Sequence, residues 1–240
     1  MNVEINGGFI AKAKPLRIEK EVVGHFGTRF ASKIAGSELV PVFENWAKIQ
    51  LDFFWSQNFY GFDQSEAGNS SLLVAAAHAT AGWTGIAEIY ADRKASGKGS
   101  KTSRGLCDVY LATYERGYSI ENKIAWIAAT ANTELMFSKN SCAKIEMAKA
   151  QAVSLRNEAN GTDDSEYSFG YGVFMVVEVP SSKLENWKQA IESTIRLAEE
   201  RFEIVTYAVP KQTIDANDLA YGKMRLGVVY GYSSLPKSDE

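Results

Sequence analysis

This 240-residue chain has little of several things that would declare a class at once. Its two cysteines, Cys107 and Cys142, are too few for a disulfide framework and fit a reducing compartment. Its two histidines, His25 and His78, do not make the Cys/His ligand set of a zinc site. No apolar run approaches the length needed to span a bilayer, and Met1 to Pro15 lacks the basic-then-apolar pattern of a signal peptide. The expectation is a cytoplasmic protein without membrane contact. The formal net charge of −3 lacks the basic surplus of proteins that coat nucleic acid non-specifically. Gly24-x-x-Gly27 is too short for a phosphate loop and has no Lys-Ser/Thr after it.

What is present reads as one domain with a full hydrophobic core, with no repeat and no biased linker. Residues 1 to 35 show no assignable pattern. From Glu38 to Asn58 the spacing of Val42, Trp46, Ile49 and Phe53 predicts a helix whose aromatic stripe is core rather than a platform for bases. Gly61 to Ser71 reads as a loop. A second helix is expected from a cap at Ser70 or Ser71 to about Lys94, with Ala81, Thr84 and Gly85 on the face of Glu88. Leu106 to Tyr114 and Tyr118 to Trp126 read as strands around a turn at Glu115-Arg116-Gly117. A helix over Ser141 to Asn157 follows, then a doubly covered strand over Phe169 to Val179, a helix from Ser181 or Ser182 to Arg201, and strands at Ile204 to Val209 and Arg225 to Tyr230.

The residues that look like chemistry sit on the predicted hairpin. Asp108 is followed by Glu121-Asn122-Lys123, and Glu88 precedes both. Alternation places Asp108 with Tyr110 on one face of the first strand, and Glu121 with Lys123 on one face of the second. If opposed residues have numbers with an odd sum, all three polar groups converge; a one-residue slip sends Asp108 to the other side. A Glu-x-Lys triplet alone occurs about once by chance in a chain of this size. A rival, Asp92-Arg93-Lys94, lies at the predicted helix end, where its charges are solvated. Just before Asp108, the run from Arg93 to Arg104 holds Arg93, Lys94, Lys98, Lys101 and Arg104 and no acidic residue, a charge pattern suited to phosphate contacts.

This conjunction resembles the PD-(D/E)xK phosphodiesterase superfamily, the fold of many restriction endonucleases and resolvases, over roughly residues 72 to 180. The resemblance implies an α/β fold, a mixed central sheet flanked by helices. Its core would span about 72–210 within a single domain 1–240, with a helical elaboration at 1–70. It implies Mg2+, replaceable by Mn2+, held by Asp108, Glu121 and the Asn122 carbonyl. Lys123 would position or polarise the attacking water, and Glu88 would supplement the metal site from its helix. DNA would be the substrate, and a homodimer is compatible with cutting both strands. The superfamily's core usually has one more strand between the helix and the aspartate strand. Here that strand is either very short, within Ser100 to Leu106, or the topology is altered. Cys107 stands where the superfamily often has proline.

The residue types suit this chemistry on their own terms, since carboxylate oxygens bind hard magnesium and a lysine adds positive charge where negative charge develops. Two functional classes follow: a metal-dependent deoxyribonuclease, or a non-enzymatic assembly or DNA-binding protein that keeps the fold. In the second case Asp108, Glu121 and Lys123 form a buried ion network that ties a hairpin to a helix. Cys107 with His78 as base is a thinner alternative, because a small buried cysteine is the commoner case.

Overall fold

The computed structural model describes residues 9–10, 14–18, 21–30, 36–57, 65–94, 102–128, 133–158, 167–180, 187–211 and 223–236. In chain order the elements are β1 (Phe9–Ile10), β2 (Lys14–Ile18), β3 (Glu21–Phe30), α1 (Val40–Gln57), α2 (Glu66–His78), β4 (Thr84–Lys94), β5 (Thr102–Ala112), β6 (Gly117–Ala128), α3 (Thr133–Glu158), β7 (Tyr167–Pro180), α4 (Trp187–Glu199), β8 (Ile204–Pro210) and β9 (Lys223–Ser234). One nine-stranded sheet runs β1-β3-β8-β9-β7-β6-β5-β4, with β2 also paired to β3. Among the described residues only the β6–β7 pairing is parallel. A parallel pair needs a long crossover, and α3 supplies it.

Helices cover both faces of this mixed sheet, as the near-continuous apolarity of β7 requires. Val173, Met175 and Val177 pack toward Ala148 and Ala152 of α3 and Ile191 and Ile195 of α4. The alternate residues Phe174 and Val176 pack toward Phe43 and Trp46 of α1 and Leu73 and Ala76 of α2. Of the aromatic stripe on α1, Phe43 and Trp46 are fully buried, whereas Phe53 is 37% exposed.

Within 1–70, where a helical elaboration is expected, the described residues hold strands β1 to β3 as well as helix α1. Strand β3 joins the main sheet by pairing with β8 from Gly24↔Pro210 to Phe30↔Ile204. Gly24 on this strand serves close packing: a Cβ there would lie 2.7 Å from Leu51 Cδ2 of α1.

The second helix differs most from expectation. It starts at Glu66, capped by Ser65, whose hydroxyl accepts the Gly68 N–H, and it ends at His78. Gly82, at φ 80°, turns the chain into β4. Residues 84–94 are therefore strand, and Glu88 lies on it rather than on a helix. The misleading signal is physical. On β4 the small residue Gly85 is buried against Ala77, while the large Ile86 and Tyr90 are exposed, so the usual apolar alternation is inverted. In chain order β4 stands between α2 and β5, the strand that carries Asp108.

Candidate functional site

Strands β5 and β6 pair from Val109↔Ile120 to Ala112↔Gly117 and then part. Beyond that point β5 stays with β4 as far as Thr102↔Lys94, while β6 stays with β7 to Ala128↔Glu178. A gap opens between them, and Asp108 and Glu121 are the first residues on its two lips. The register has an odd sum, so both belong to one side of the hairpin. Past the last ladder bond, the Asn122 N–H has no strand opposite it; Asp108 Oδ2 accepts it instead at 2.8 Å.

Lys123 fills the gap. Its Nζ donates to the Asn122 carbonyl at 2.6 Å and to Glu66 Oε1 at 2.7 Å, and it lies 3.6 Å from Asp108 Oδ2. The lysine side chain is 9% exposed and Glu66 about a third exposed, so the ammonium is largely withdrawn from water among three oxygens. Glu66 is the carboxylate that a helix contributes here. Glu88 is on edge strand β4, exposed, at φ 53°. Its backbone stands across from Asp108, between the pairs Ala87↔Val109 and Ile89↔Cys107. A non-glycine residue held in that region costs about 1–3 kcal/mol.

Asn122 organises the cluster. Its backbone N–H and C=O serve Asp108 and Lys123, while its buried side chain is anchored on both sides. Tyr230 of β9 donates its hydroxyl to Asn122 Oδ1 at 2.9 Å, and Asn122 Nδ2 donates to Ser70 Oγ of α2 at 3.3 Å. All four hydrogen-bonding groups of one residue are thus engaged by four different partners. Burial pushes the Tyr230 hydroxyl well above the usual tyrosine range, which keeps it a donor.

Glu121 is fully buried. The neighbouring Cys107 thiol is pushed up to about 12, first by burial and then by the negative charge of Glu121. It is a protonated core thiol, donating to the Val109 carbonyl at 3.3 Å, and not a nucleophile. His78, its imagined base, has Nε2 3.1 Å from the Gly85 carbonyl. Of the basic run, Lys98 and Lys101 lie outside the described residues. Arg93, Lys94 and Arg104 have described backbone only, with Arg93 opposite Ser103, Lys94 opposite Thr102 and Arg104 opposite Asp92.

Sequence reasoning missed Glu66, Ser70 and Tyr230. Glu66 and Ser70 fall in the stretch read as a loop, because Gly68, Asn69 and Ser70 hide the start of α2. The buried positions 69, 70, 73, 76 and 77 keep helical spacing, but the first two are polar. Ser65 before Glu66, with the apolar spacing that follows, was the available signal. For Tyr230 there was none, since its role depends on β9 lying beside β7 and near β6.

The donor set around Lys123 Nζ fits a hard cation. Glu66, Asp108 and the Asn122 carbonyl present only oxygen, and an ammonium already occupies their common point. Among the described residues no three carboxylate, cysteine or histidine side chains come together as a metal group, so the backbone carbonyl is an essential part of that fit. No helix among them is long and apolar enough to cross a membrane. Comparison with protein-family models, curated proteins and solved structures found no match.

Proposed function

We propose that the protein is a Mg2+-dependent deoxyribonuclease of the PD-(D/E)xK kind, with its site in the gap between β5 and β6. The observation that carries this reading is the convergence of Asp108, the Asn122 carbonyl and Glu66 on the Lys123 ammonium. The element order supports it: α2, β4, β5 with Asp108, β6 with Glu121-x-Lys123, α3, then β7 parallel to β6. This order is compatible with a restriction-endonuclease-like fold, which places a strand between the helix and the aspartate strand.

Asp108, Glu66 and the Asn122 carbonyl are the residues that would hold magnesium. When bound there, the ion supplies an acidified water and neutralises charge on the scissile phosphate. The chain's own part is positional. Asp108 is oriented by the Asn122 N–H, and Lys123 keeps a positive charge at the lip of the gap for the phosphate oxygen that gains charge. Cleavage of linear, nicked, branched and single-stranded DNA with Mg2+ or Mn2+ tests the reading. Asp108→Asn and Lys123→Ala should abolish product while leaving the far-ultraviolet circular dichroism unchanged. Absence of cleavage of every DNA form with either metal would refute it.

One observation favours a second reading, a non-enzymatic protein with a structural ion network. Lys123 is nearer to Glu66 and to its neighbour's carbonyl than to Asp108. On that reading Lys123→Ala lowers stability but leaves the biological function intact, and Mn2+ titration detects no binding.

A further inference from the structure

We propose that Lys123 is an exchangeable latch: its ammonium holds the place of the divalent cation in the resting protein and must leave before the site is loaded. This rests on the nuclease reading above and makes the arrangement described there the unloaded one.

The path of the side chain is the first observation. Strand alternation puts Lys123 on the side of Ala125 and Ile127, which pack toward α3 and α4. Glu66 belongs to α2, whose Leu73 and Ala76 pack on the opposite face of the sheet. A lysine from the first face that meets Glu66 Oε1 at 2.7 Å therefore runs through the gap rather than along one face. It can do so only because β5 and β6 part after Val109 and Ile120; a continued ladder would close the passage.

Position and charge are the second and third. Nζ lies 2.6 Å from the Asn122 carbonyl, 2.7 Å from Glu66 and 3.6 Å from Asp108 Oδ2. Magnesium holds its oxygens at about 2.0–2.1 Å, so an ion on these oxygens would stand against the ammonium, two like charges with no ligand between them. The two exclude each other. Glu66 and Asp108 also bring two carboxylates to a single ammonium that is itself withdrawn from water. One negative charge stays uncompensated, and a divalent ion supplies what the lysine lacks.

The residue type suits an exchange. Lysine carries a compact charge on a flexible stem, so a change of rotamer withdraws Nζ from the oxygens without moving a strand. Its charge is then available for the phosphate role given it above. Until that happens the affinity for metal is lowered by the fraction of molecules that are unlatched.

The test uses the full chain without DNA. Mn2+ binding is measured by electron paramagnetic resonance for wild type, Lys123→Met and Lys123→Arg. The lysine ammonium signals of wild type are followed by 1H–15N nuclear magnetic resonance during Mg2+ titration, with Lys123→Arg assigning the Lys123 signal by its loss. The expected result is Mn2+ binding about tenfold tighter in Lys123→Met, no tighter in Lys123→Arg, and loss of the protected Lys123 signal as Mg2+ binds wild type. The wild-type titration stands even where Lys123→Met does not fold. A Lys123 signal that persists at saturating Mg2+ overturns the inference. So does equal Mn2+ affinity in wild type and Lys123→Met, tightening by Lys123→Arg as well, or no metal binding by any of the three. DNA cleavage with Mg2+ while the Lys123 signal persists removes the latch and leaves the nuclease. Metal-driven loss of that signal without cleavage of any DNA form keeps the latch and removes the nuclease.

Discussion

Tyr230→Phe removes one hydroxyl and little else, which makes it a sharp probe of the Asn122 hub. The ring stays stacked on Phe174, with centroids 4.6 Å apart, and remains against Phe43 and Trp46 at 5.2 and 5.5 Å. The apolar packing therefore survives. What changes is Asn122 Oδ1, an acceptor on a residue with no exposed surface, which loses its donor at 2.9 Å. A buried acceptor left without a partner costs about 1–3 kcal/mol. For a chain of this size each kcal/mol is worth about 2–4 °C, so thermal unfolding should shift down by roughly 2–12 °C. Tyr232→Phe is the control. Its hydroxyl meets Ser234 Oγ at 3.3 Å in a less buried place, and the loss should be about 0.5–1.5 kcal/mol. The reasoning is refuted if Tyr230→Phe melts with the wild type or loses less than Tyr232→Phe. Asn122 also orients Asp108 and Lys123 through its backbone, so on the proposed nuclease reading DNA cleavage should fall further than the loss of folded protein explains.

Four further outcomes follow from the same geometry. Gly172→Ala on β7 places a Cβ against the Tyr230 ring and hydroxyl, so it should destabilise the fold at least as much as Tyr230→Phe, measured by urea unfolding. Glu66→Gln leaves the Lys123 ammonium without its nearest carboxylate; because Glu66 is partly exposed, the expected loss is about 1–3 kcal/mol, below that for a fully buried pair. Lys123→Met leaves Glu66 and Asp108 without their internal cation, so Mn2+ should raise its melting temperature more than that of the wild type. An equal or smaller rise counts against a cation site there. Finally, Cys107 titrates near 12 when folded, against about 8.5 for a free thiol. Between these values the folded state holds a proton that the unfolded state has lost, so stability falls as pH rises through the window. Cys107→Ala should flatten that slope in unfolding curves. Tyr118, Tyr230 and Tyr232, all raised by burial, keep part of it.

The contribution of sequence and of tertiary structure divides along the range of the forces involved. Local pattern was sufficient for α1, for the hairpin of β5 and β6, and for the doubly covered β7, because side-chain alternation and helical spacing are properties of neighbouring residues. It also pointed to Asp108 and Glu121-Asn122-Lys123 as a set. It failed over 65–94, where a helix that begins with polar buried residues runs into a strand that exposes its large side chains. There, burial is dictated by what packs on each face and not by local periodicity. Only the tertiary structure decided that the hairpin opens past Val109 and Ile120, that Glu66 rather than Glu88 meets Lys123, and that Tyr230 anchors Asn122. Each of those contacts joins residues far apart in the chain, and they exist because a parallel β6–β7 pair and a distant β9 bring separate stretches onto one buried amide.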